Sequence, residues 1–301
     1  MKQALLITSY KDFEQLIDLI KQFDYNFNIY LHIDKKSELN KDIYKELLSI
    51  SNVKYISRKY RINWGGINHL KAIILLSKKA LINKDNKYFH LITGQDFPIK
   101  PNDYFKNLLF NNCNKNINYL DISKLPKSGW AKENGGMDRI EYYCLYDLFN
   151  AKTSFGNKWI LRIINIQRKL NIKRSINFSK QLYGGSTYWT LYYDTLQYVI
   201  DFTKKNPIFL NRFRFTFCAE EIYFQTIIMN SEFANHVFND NLRYIDWETG
   251  RGGFPAFLDE NDYEILINSD KLFARKIETK RNNLKQMLTL YLNINDCSNT
   301  K

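Results

Sequence analysis

Cysteine is scarce and none of it is spaced for chemistry. The 301 residues hold four Cys (Cys113, Cys144, Cys218 and Cys297), far apart and without a C-x-x-C, and four scattered His. Neither a zinc site nor a disulfide framework is indicated. A Gly-x-Gly-x-x-Gly turn and a Walker A loop are both missing, which argues against dinucleotide-dependent redox chemistry and against P-loop chemistry. Gly-x-Ser-x-Gly is missing too, so Gly184-Gly185-Ser186 is not a nucleophile elbow. There is no long basic arm, no zinc-finger spacing and no aromatic-glycine pattern of an RNA-binding sheet, so a nucleic-acid partner is not expected. No long apolar run occurs. The opening Met-Lys-Gln-Ala-Leu-Leu-Ile-Thr turns polar too soon for a signal peptide or a membrane span. It reads as a buried strand in a soluble, cytoplasmic protein that touches the inner face of a membrane only peripherally, through basic or aromatic surface. Internal repeats and low-complexity linkers are absent as well.

What is present is positive charge and aromatic surface. Lys and Arg number 44 against 31 Asp and Glu, a net charge of +13. That balance favours an anionic partner, such as a phosphate-bearing substrate or a membrane. Aromatic residues make up 16% of the chain, with 21 Tyr and 21 Phe. Most must build the core, but Tyr and Trp also suit carbohydrate clefts, because a ring offers an apolar face and a polar tip.

The N-terminal half alternates between two periodicities. Ala4–Thr8, Phe27–Ile33, Val53–Ser57 and Tyr88–Thr93 are short apolar runs that read as strands. Between them, Asp12–Phe23, Lys41–Ile50 and Asn68–Leu81 carry helical spacing. This rhythm predicts an α/β fold with a mostly parallel central sheet flanked by helices. In such sheets ligands sit beyond the carboxyl ends of the strands, where Asp34 and Asp96 fall. Residues 111–181 are less regular and read as an insertion with a helix at Lys158–Leu170. Beyond it the pattern predicts a strand at Gly184–Leu191, helices at Tyr193–Lys204 and Glu220–Met229, and a strand at Leu242–Trp247. A Gly-rich loop follows at Glu248–Pro255, then a helix at Asp259–Ser269. Residues 1–277 read as one domain, and 278–301 as a polar tail with a short helix at Leu284–Leu292.

Transfer of a group from a nucleotide donor needs a base for the incoming hydroxyl and positive charge for the departing diphosphate. Many such proteins hold the diphosphate through a metal on Asp-x-Asp, a motif absent from this chain. Arg251, Arg275 and Lys276 are candidate replacements for the metal. The plainer expectation for Arg275-Lys276 is a pair of surface cations ending a helix. Glu220-Glu221 opens a helix, and neighbours there point about 100° apart, so at most one can face a cleft. A helix start also favours the ionised carboxylate.

Seven segments, in order, resemble the core-2/I-branching β-1,6-N-acetylglucosaminyltransferase family, which also contains the peptide O-xylosyltransferases. They are Ile29–Ser37 (IYLHIDKKS), Trp64-Gly65-Gly66, Leu91–Lys100 (LITGQDFPIK), Gly185–Trp189 (GSTYW), Ala219–Ile227 (AEEIYFQTI), Leu242–Trp247 (LRYIDW) and Leu272–Lys276 (LFARK). The resemblance implies a glycosyltransferase A-type fold and a UDP-sugar donor, most simply UDP-N-acetylglucosamine. It further implies inversion at the anomeric carbon, no cofactor and no metal. Glu221 takes the place of the family's base, although Ala219-Glu220 departs from its Pro-Asp pattern. Lys276, Arg251 and Arg275 fall at the diphosphate, and Asp34, Asp96 and Trp64 in donor-binding segments. Trp247, Arg139 and Ser186 fall toward the acceptor. The family's extracellular cysteines and membrane anchor have no counterpart, which suggests a bacterial-type enzyme of surface polysaccharide or lipid-linked glycan synthesis. Transfer of xylose or another sugar, and a non-catalytic sugar-binding domain, are the alternatives.

Overall fold

The computed structural model describes residues 1–113, 116–175, 181–278 and 282–298. Its first half runs β1 (Lys2–Ser9), α1 (Phe13–Lys21), β2 (Phe27–Ile33), α2 (Lys41–Ser49), β3 (Val53–Ser57), α3 (Ile67–Ala80) and β4 (Asn86–Thr93). The middle holds β5 (Asp96–Pro98), α4 (Asn102–Cys113), β6 (Asn118–Leu120), β7 (Ser123–Lys124), a 3₁₀ segment (Ser128–Gly136), α5 (Met137–Glu141) and α6 (Ser154–Lys169). Then come β8 (Tyr183–Gly184), β9 (Trp189–Tyr192), α7 (Tyr193–Lys205), α8 (Pro207–Arg212) and α9 (Glu220–Met229). The last elements are β10 (Val237–Phe238), β11 (Arg243–Ile245), α10 (Tyr263–Asn268), β12 (Phe273–Arg275) and α11 (Asn282–Ser298).

Among the described residues, seven strands form one sheet in the order β10-β6-β9-β4-β1-β2-β3. The β4-β1-β2-β3 stretch is parallel, and β9 enters antiparallel to both β4 and β6. This is the mostly parallel α/β sheet that the alternation predicts. Successive side chains of a strand face opposite ways, and both faces here are covered. Leu5 and Ile7 of β1 enter one core, with α1 and α11, while Ala4 and Leu6 enter the other, with α3, α7 and α9. Burial on both sides explains why β1, β2 and β4 read as near-continuous apolar runs. A smaller sheet, β11-β12-β5, pairs Arg275 with Asp96 in register.

Three sequence expectations change on folding. The strand predicted over Gly184–Leu191 is two short pieces, β8 and β9. Its middle packs against neighbouring backbone instead of continuing a ladder: a Cβ on Gly185 would lie 1.9 Å from the Asp121 carbonyl oxygen. The helix predicted over Asp259–Ser269 begins as a 3₁₀ turn at Glu260–Asp262, capped by Asp259, and only then becomes α10. Arg275 ends a strand, not a helix.

The C-terminal helix is longer than its sequence window and buries Leu284, Leu288 and Leu292 in the same core as β1 and α1. Residues 114–115 and 176–180 of the irregular stretch, and 279–281 and 299–301 of the tail, lie outside the described residues. Cys144 and Cys218 are buried free thiols, and the side chains of Cys113 and Cys297 lie outside the described set. No described helix is long and apolar enough to cross a membrane. Leu288→Ala is expected to lower unfolding free energy by about 2–5 kcal/mol, the usual cost of a buried Leu truncation. Denaturant unfolding measures it, and a loss under about 0.5 kcal/mol would show that α11 is not part of the folding unit.

Candidate active site

The carboxyl ends of β1, β2 and β4 open toward one edge of the sheet. Asp34 follows β2, and its backbone N–H donates to the Ser9 carbonyl at 2.9 Å, fastening it beside Tyr10 and Lys11. Its carboxylate accepts from the backbone N–H groups of Lys36 (3.0 Å) and Ile62 (3.1 Å), so it organises the 58–63 loop. Behind it, His32 accepts from the Tyr60 N–H at 3.1 Å. Burial pushes the His32 imidazole down to about 4 despite the pull of Asp34, so the ring stays neutral. Asp96 was expected in the same donor-binding region. It is fully buried, and its carboxylate is occupied by the Thr93 backbone and hydroxyl and by Arg275. That places it under the site as a support for Arg275.

Lys276 and Arg275 project from the end of β12. Burial, then the neighbouring Arg275, lowers the Lys276 ammonium below its usual value, with Lys11 and Lys152 acting in the same direction. Lys276 thus feels three other cations, opposed by the Glu278 carboxylate. Lys11 is partly offset by Glu278 at 2.6 Å, and Lys152 lies 4.4 Å from the centre of the Tyr10 ring. Sequence reasoning missed Lys11 and Lys152, since neither sits in a recognisable motif. The Arg275 guanidinium also lies 5.1 Å from the Tyr188 ring centre. Arg251 is otherwise engaged: its guanidinium pairs with Asp259 (2.8 Å), Asp262 (2.7 Å) and Asp246 (3.5 Å). Those hydrogen bonds and charges raise its pKa further above the usual arginine value.

A second cluster forms around the start of α9. Glu220 and Glu221 diverge, as adjacent helical residues must. Glu220 lies 2.9 Å from His69 Nδ1, whose Nε2 is 3.2 Å from the Thr8 hydroxyl. Glu221 instead meets Arg139, with Nη1 2.5 Å from its Oε2. The same guanidinium bonds Glu133 and lies over Trp130, 3.6 Å from the ring centre. A quarter of the Glu221 side chain stays exposed. Burial pushes its carboxyl up to about 7, against the opposing pull of Arg139 and with help from Glu220. The helix start was expected to keep this group ionised. Desolvation outweighs the helix dipole here.

The remaining candidates frame this cluster. The Gly185 N–H donates to the Glu221 carbonyl at 2.9 Å, and Gln225 donates to the Ser186 carbonyl at 2.7 Å, so Ser186 rests against the first turns of α9. Trp64 is half exposed, 5.1 Å from the Phe217 ring and 6.0 Å from that of Tyr146. The following Gly65 has φ of +80°, and its carbonyl accepts from the Cys218 N–H at 3.0 Å. A side chain there would strike Phe217 at 2.6 Å, so glycine is required for the loop to reach α9. Trp247 is exposed, two residues beyond the register pair Ile245 and Arg275. Trp64, Arg139, Ser186 and Glu221 thus come together. Tyr188, near both Arg275 and Glu221 in the field it feels, links that cluster to the cations. Among the described residues no group of three His, Cys, Asp or Glu could hold a metal ion. A cavity of 560 Å³ beside α1 and α11 contains none of these residues.

The protein-family model for the core-2/I-branching enzymes matches residues 4–266. This chain belongs to that family. It is 22% identical over 263 residues to a xylosyltransferase of Ciona intestinalis, covering 80% of this chain and 26% of that protein. It is 23% identical over 231 residues to xylosyltransferase 2 of Rattus norvegicus, covering 74% of this chain and 24% of that one. It is 23% identical over 272 residues to the β-glucuronosyltransferase GlcAT14A of Arabidopsis thaliana, covering 86% and 56%. The chain thus spans from about a quarter to just over half of these curated relatives. The family match stops short of Arg275 and Lys276. The parallel α/β architecture is that of a glycosyltransferase A-like fold.

A carboxyl whose pKa is higher in the folded than in the unfolded chain holds its proton more tightly when folded. The Glu221 contribution to stability is therefore full below the ordinary value of 4.5 and lost as pH rises through about 7. Glu221→Gln is expected to flatten the fall in unfolding free energy across that window. Parallel stability–pH curves for wild type and variant would show that Glu221 titrates as an ordinary carboxyl.

Proposed function

We propose that the chain is an inverting, metal-independent glycosyltransferase that moves a sugar from a UDP-sugar to a hydroxyl of a glycan acceptor, with Glu221 as the base. The observation that carries this reading is the pairing of two opposite environments near the carboxyl ends of the strands. One is a carboxyl poised near neutrality and held by Arg139. The other is a cluster of cations across Tyr188. In the proposed step the acceptor oxygen bonds to the anomeric carbon as the bond from that carbon to the diphosphate breaks. The acceptor proton passes to Glu221, and UDP leaves with the electron pair. Lys276, with Arg275, Lys11 and Lys152, neutralises the charge that builds on the diphosphate, the work that a metal does elsewhere. In this reading Asp34 and Trp64 are assigned to the nucleotide, and Trp247 and Ser186 to the acceptor.

A base with a value near 7 is half ionised at neutral pH, which suits general base catalysis. The resemblance carried by the seven sequence segments favours N-acetylglucosamine as the sugar. The printed names of the relatives favour xylose or glucuronic acid, so a panel of these three UDP-sugars separates the readings. A glycan acceptor carried on lipid, in a bacterial-type cytoplasmic pathway of surface polysaccharide, fits the basic surface.

Glu221→Gln is expected to cut kcat by roughly 10²–10⁴ while calorimetry finds UDP affinity nearly unchanged. Lys276→Ala should weaken UDP binding and turnover together. In wild type, kcat/KM should climb with pH through about 7, because only the ionised carboxylate accepts a proton. Activity should survive excess EDTA. Retention of most activity by Glu221→Gln would place the base elsewhere, and loss on chelation with recovery in Mn²⁺ would overturn metal independence.

A further inference from the structure

The helix α6 (Ser154–Lys169) is held to the body by only one narrow face. Gly156, Ile160 and Gln167 are buried, with Ile160 and Ile164 packing against Tyr142, Tyr146 and Phe217. At 100° per residue, the exposed Phe155, Trp159, Ile166 and Leu170 project within an arc of about 60°. They are 67%, 37%, 46% and 64% exposed, respectively. Lys158, Arg162 and Lys169 lie in a second arc of about 40° directly beside it. Residues 152–174 contain seven Lys or Arg and no Asp or Glu. Arg168 and Lys173 are paired with Asp138 and Glu141, and Arg174 turns inward to backbone carbonyls. Among the described residues Lys158 and Lys169 make no ion pair, and Arg162 reaches over the Trp159 ring at 5.4 Å.

An apolar stripe of Phe, Trp, Ile and Leu bordered by a row of long cations fits a surface that is apolar below and anionic above. A helix of this kind lies in the plane of a bilayer interface, with its rings among the acyl chains and its cations at the headgroups. We infer that α6 docks this chain on an anionic lipid surface through Phe155, Trp159, Ile166 and Leu170, with Lys158, Arg162 and Lys169 at the headgroup level. Charge complementarity selects the occupant. An apolar partner protein would not need three adjacent unneutralised cations, and a second copy of a chain with a net charge of +13 would repel them.

The docking also orients the cleft. Lys152, in the cation cluster, lies two residues before the helix start. The inner face of α6 rests on Tyr146 and Phe217, the rings that carry Trp64. A membrane-seated α6 therefore holds the rim of the candidate site close to the lipid surface, where a lipid-borne acceptor would present its hydroxyl. The docking itself does not depend on the sugar-transfer reading.

The test is co-sedimentation of the full chain with phosphatidylcholine vesicles, with and without phosphatidylglycerol, alongside UDP calorimetry and sedimentation equilibrium. Wild type should bind only the anionic vesicles, more weakly as salt rises. A Phe155→Ser, Trp159→Ser, Ile166→Ser triple variant should lose binding. A Lys158→Glu, Arg162→Glu, Lys169→Glu variant should bind at least about tenfold more weakly. Both should keep wild-type UDP affinity, which shows that they fold and separates this outcome from the fate of the proposed activity. Absence of wild-type binding to anionic vesicles overturns the inference, as does binding unaltered in both variants. A dimer that the serine variant abolishes, without vesicle binding, would assign the face to a second copy instead.

Discussion

The arrangement around α9 depends on the Arg139 guanidinium. It is nearly buried, lies over Trp130 and faces two carboxylates, Glu133 and Glu221. Without it, the mostly buried carboxylate of Glu221 would lose its nearest compensating charge, and breaking such a pair costs several kcal/mol. The same contact ties the 3₁₀ segment and α5 to the first turn of α9, because Glu133, Trp130 and Arg139 come from one side and Glu221 from the other. Arg139 does not cancel the cost of burial. Glu221 is left near 7, neither firmly ionised nor firmly neutral. The arginine thus sets both where the carboxylate points and how readily it takes a proton.

The cation cluster rests on a different support. Arg275 and Lys276 are held in place because β12 pairs antiparallel with β5, which brings Asp96 opposite Arg275. Arg243, fully buried at the start of β11, donates to Thr190 and to the carbonyls of Leu91 and Trp189. It thereby locks the small sheet to the ends of β4 and β9. Burial lowers its guanidinium to about 10, yet it stays charged and satisfies carbonyls that would otherwise be stranded. The depressed ammonium of Lys276 is the counterpart of this packing. Burial depresses it most and the crowded cations add to that, so an anion brought among them would relieve part of the cost.

Much of the frame was legible in the chain. Phe27–Ile33 and Val53–Ser57 fall on β2 and β3 with the same boundaries, because each is a short apolar run bounded by polar residues. The helix at Glu220–Met229 was legible for the same reason, and so was the divergence of Glu220 from Glu221, which follows from helical geometry alone. What stayed hidden depends on register between distant segments. Nothing near Arg275 in sequence says that Asp96 lies across from it, or that the residue ends a strand. Lys152 sits in a stretch that reads as an irregular insertion, and only the fold carries it to Lys276. Tyr188 stood inside a quoted motif, but its place between the two clusters is a property of packing. The segment over Gly184–Leu191 looked like one strand because a close backbone approach at Gly185 leaves no trace in hydropathy.

Arg251 shows how the two clusters constrain each other. Three carboxylates, from Asp246, Asp259 and Asp262, already neutralise it. For Arg251 to reach a diphosphate, the 246–262 segment would have to surrender those bonds, and a ligand repays that only through differential contacts in the rearranged state. Lys276 is less committed: after burial it feels Arg275 first, then Glu278 pulling the other way, then Lys11 and Lys152. Three of those four charged neighbours are positive, so an incoming phosphate would meet a net positive field. Arg139 is likewise committed, to Glu221 and Glu133, and an anion drawn to it would have to displace the proposed base. The charges therefore divide by commitment. Arg139 and Arg251, which already hold carboxylates, fix the geometry around the candidate site, while on the proposed reading Lys276 and Lys152 would be left to meet the diphosphate, beside Arg275. On the proposed reading, that division would let a proton acceptor and an anion site stand side by side without either neutralising the other.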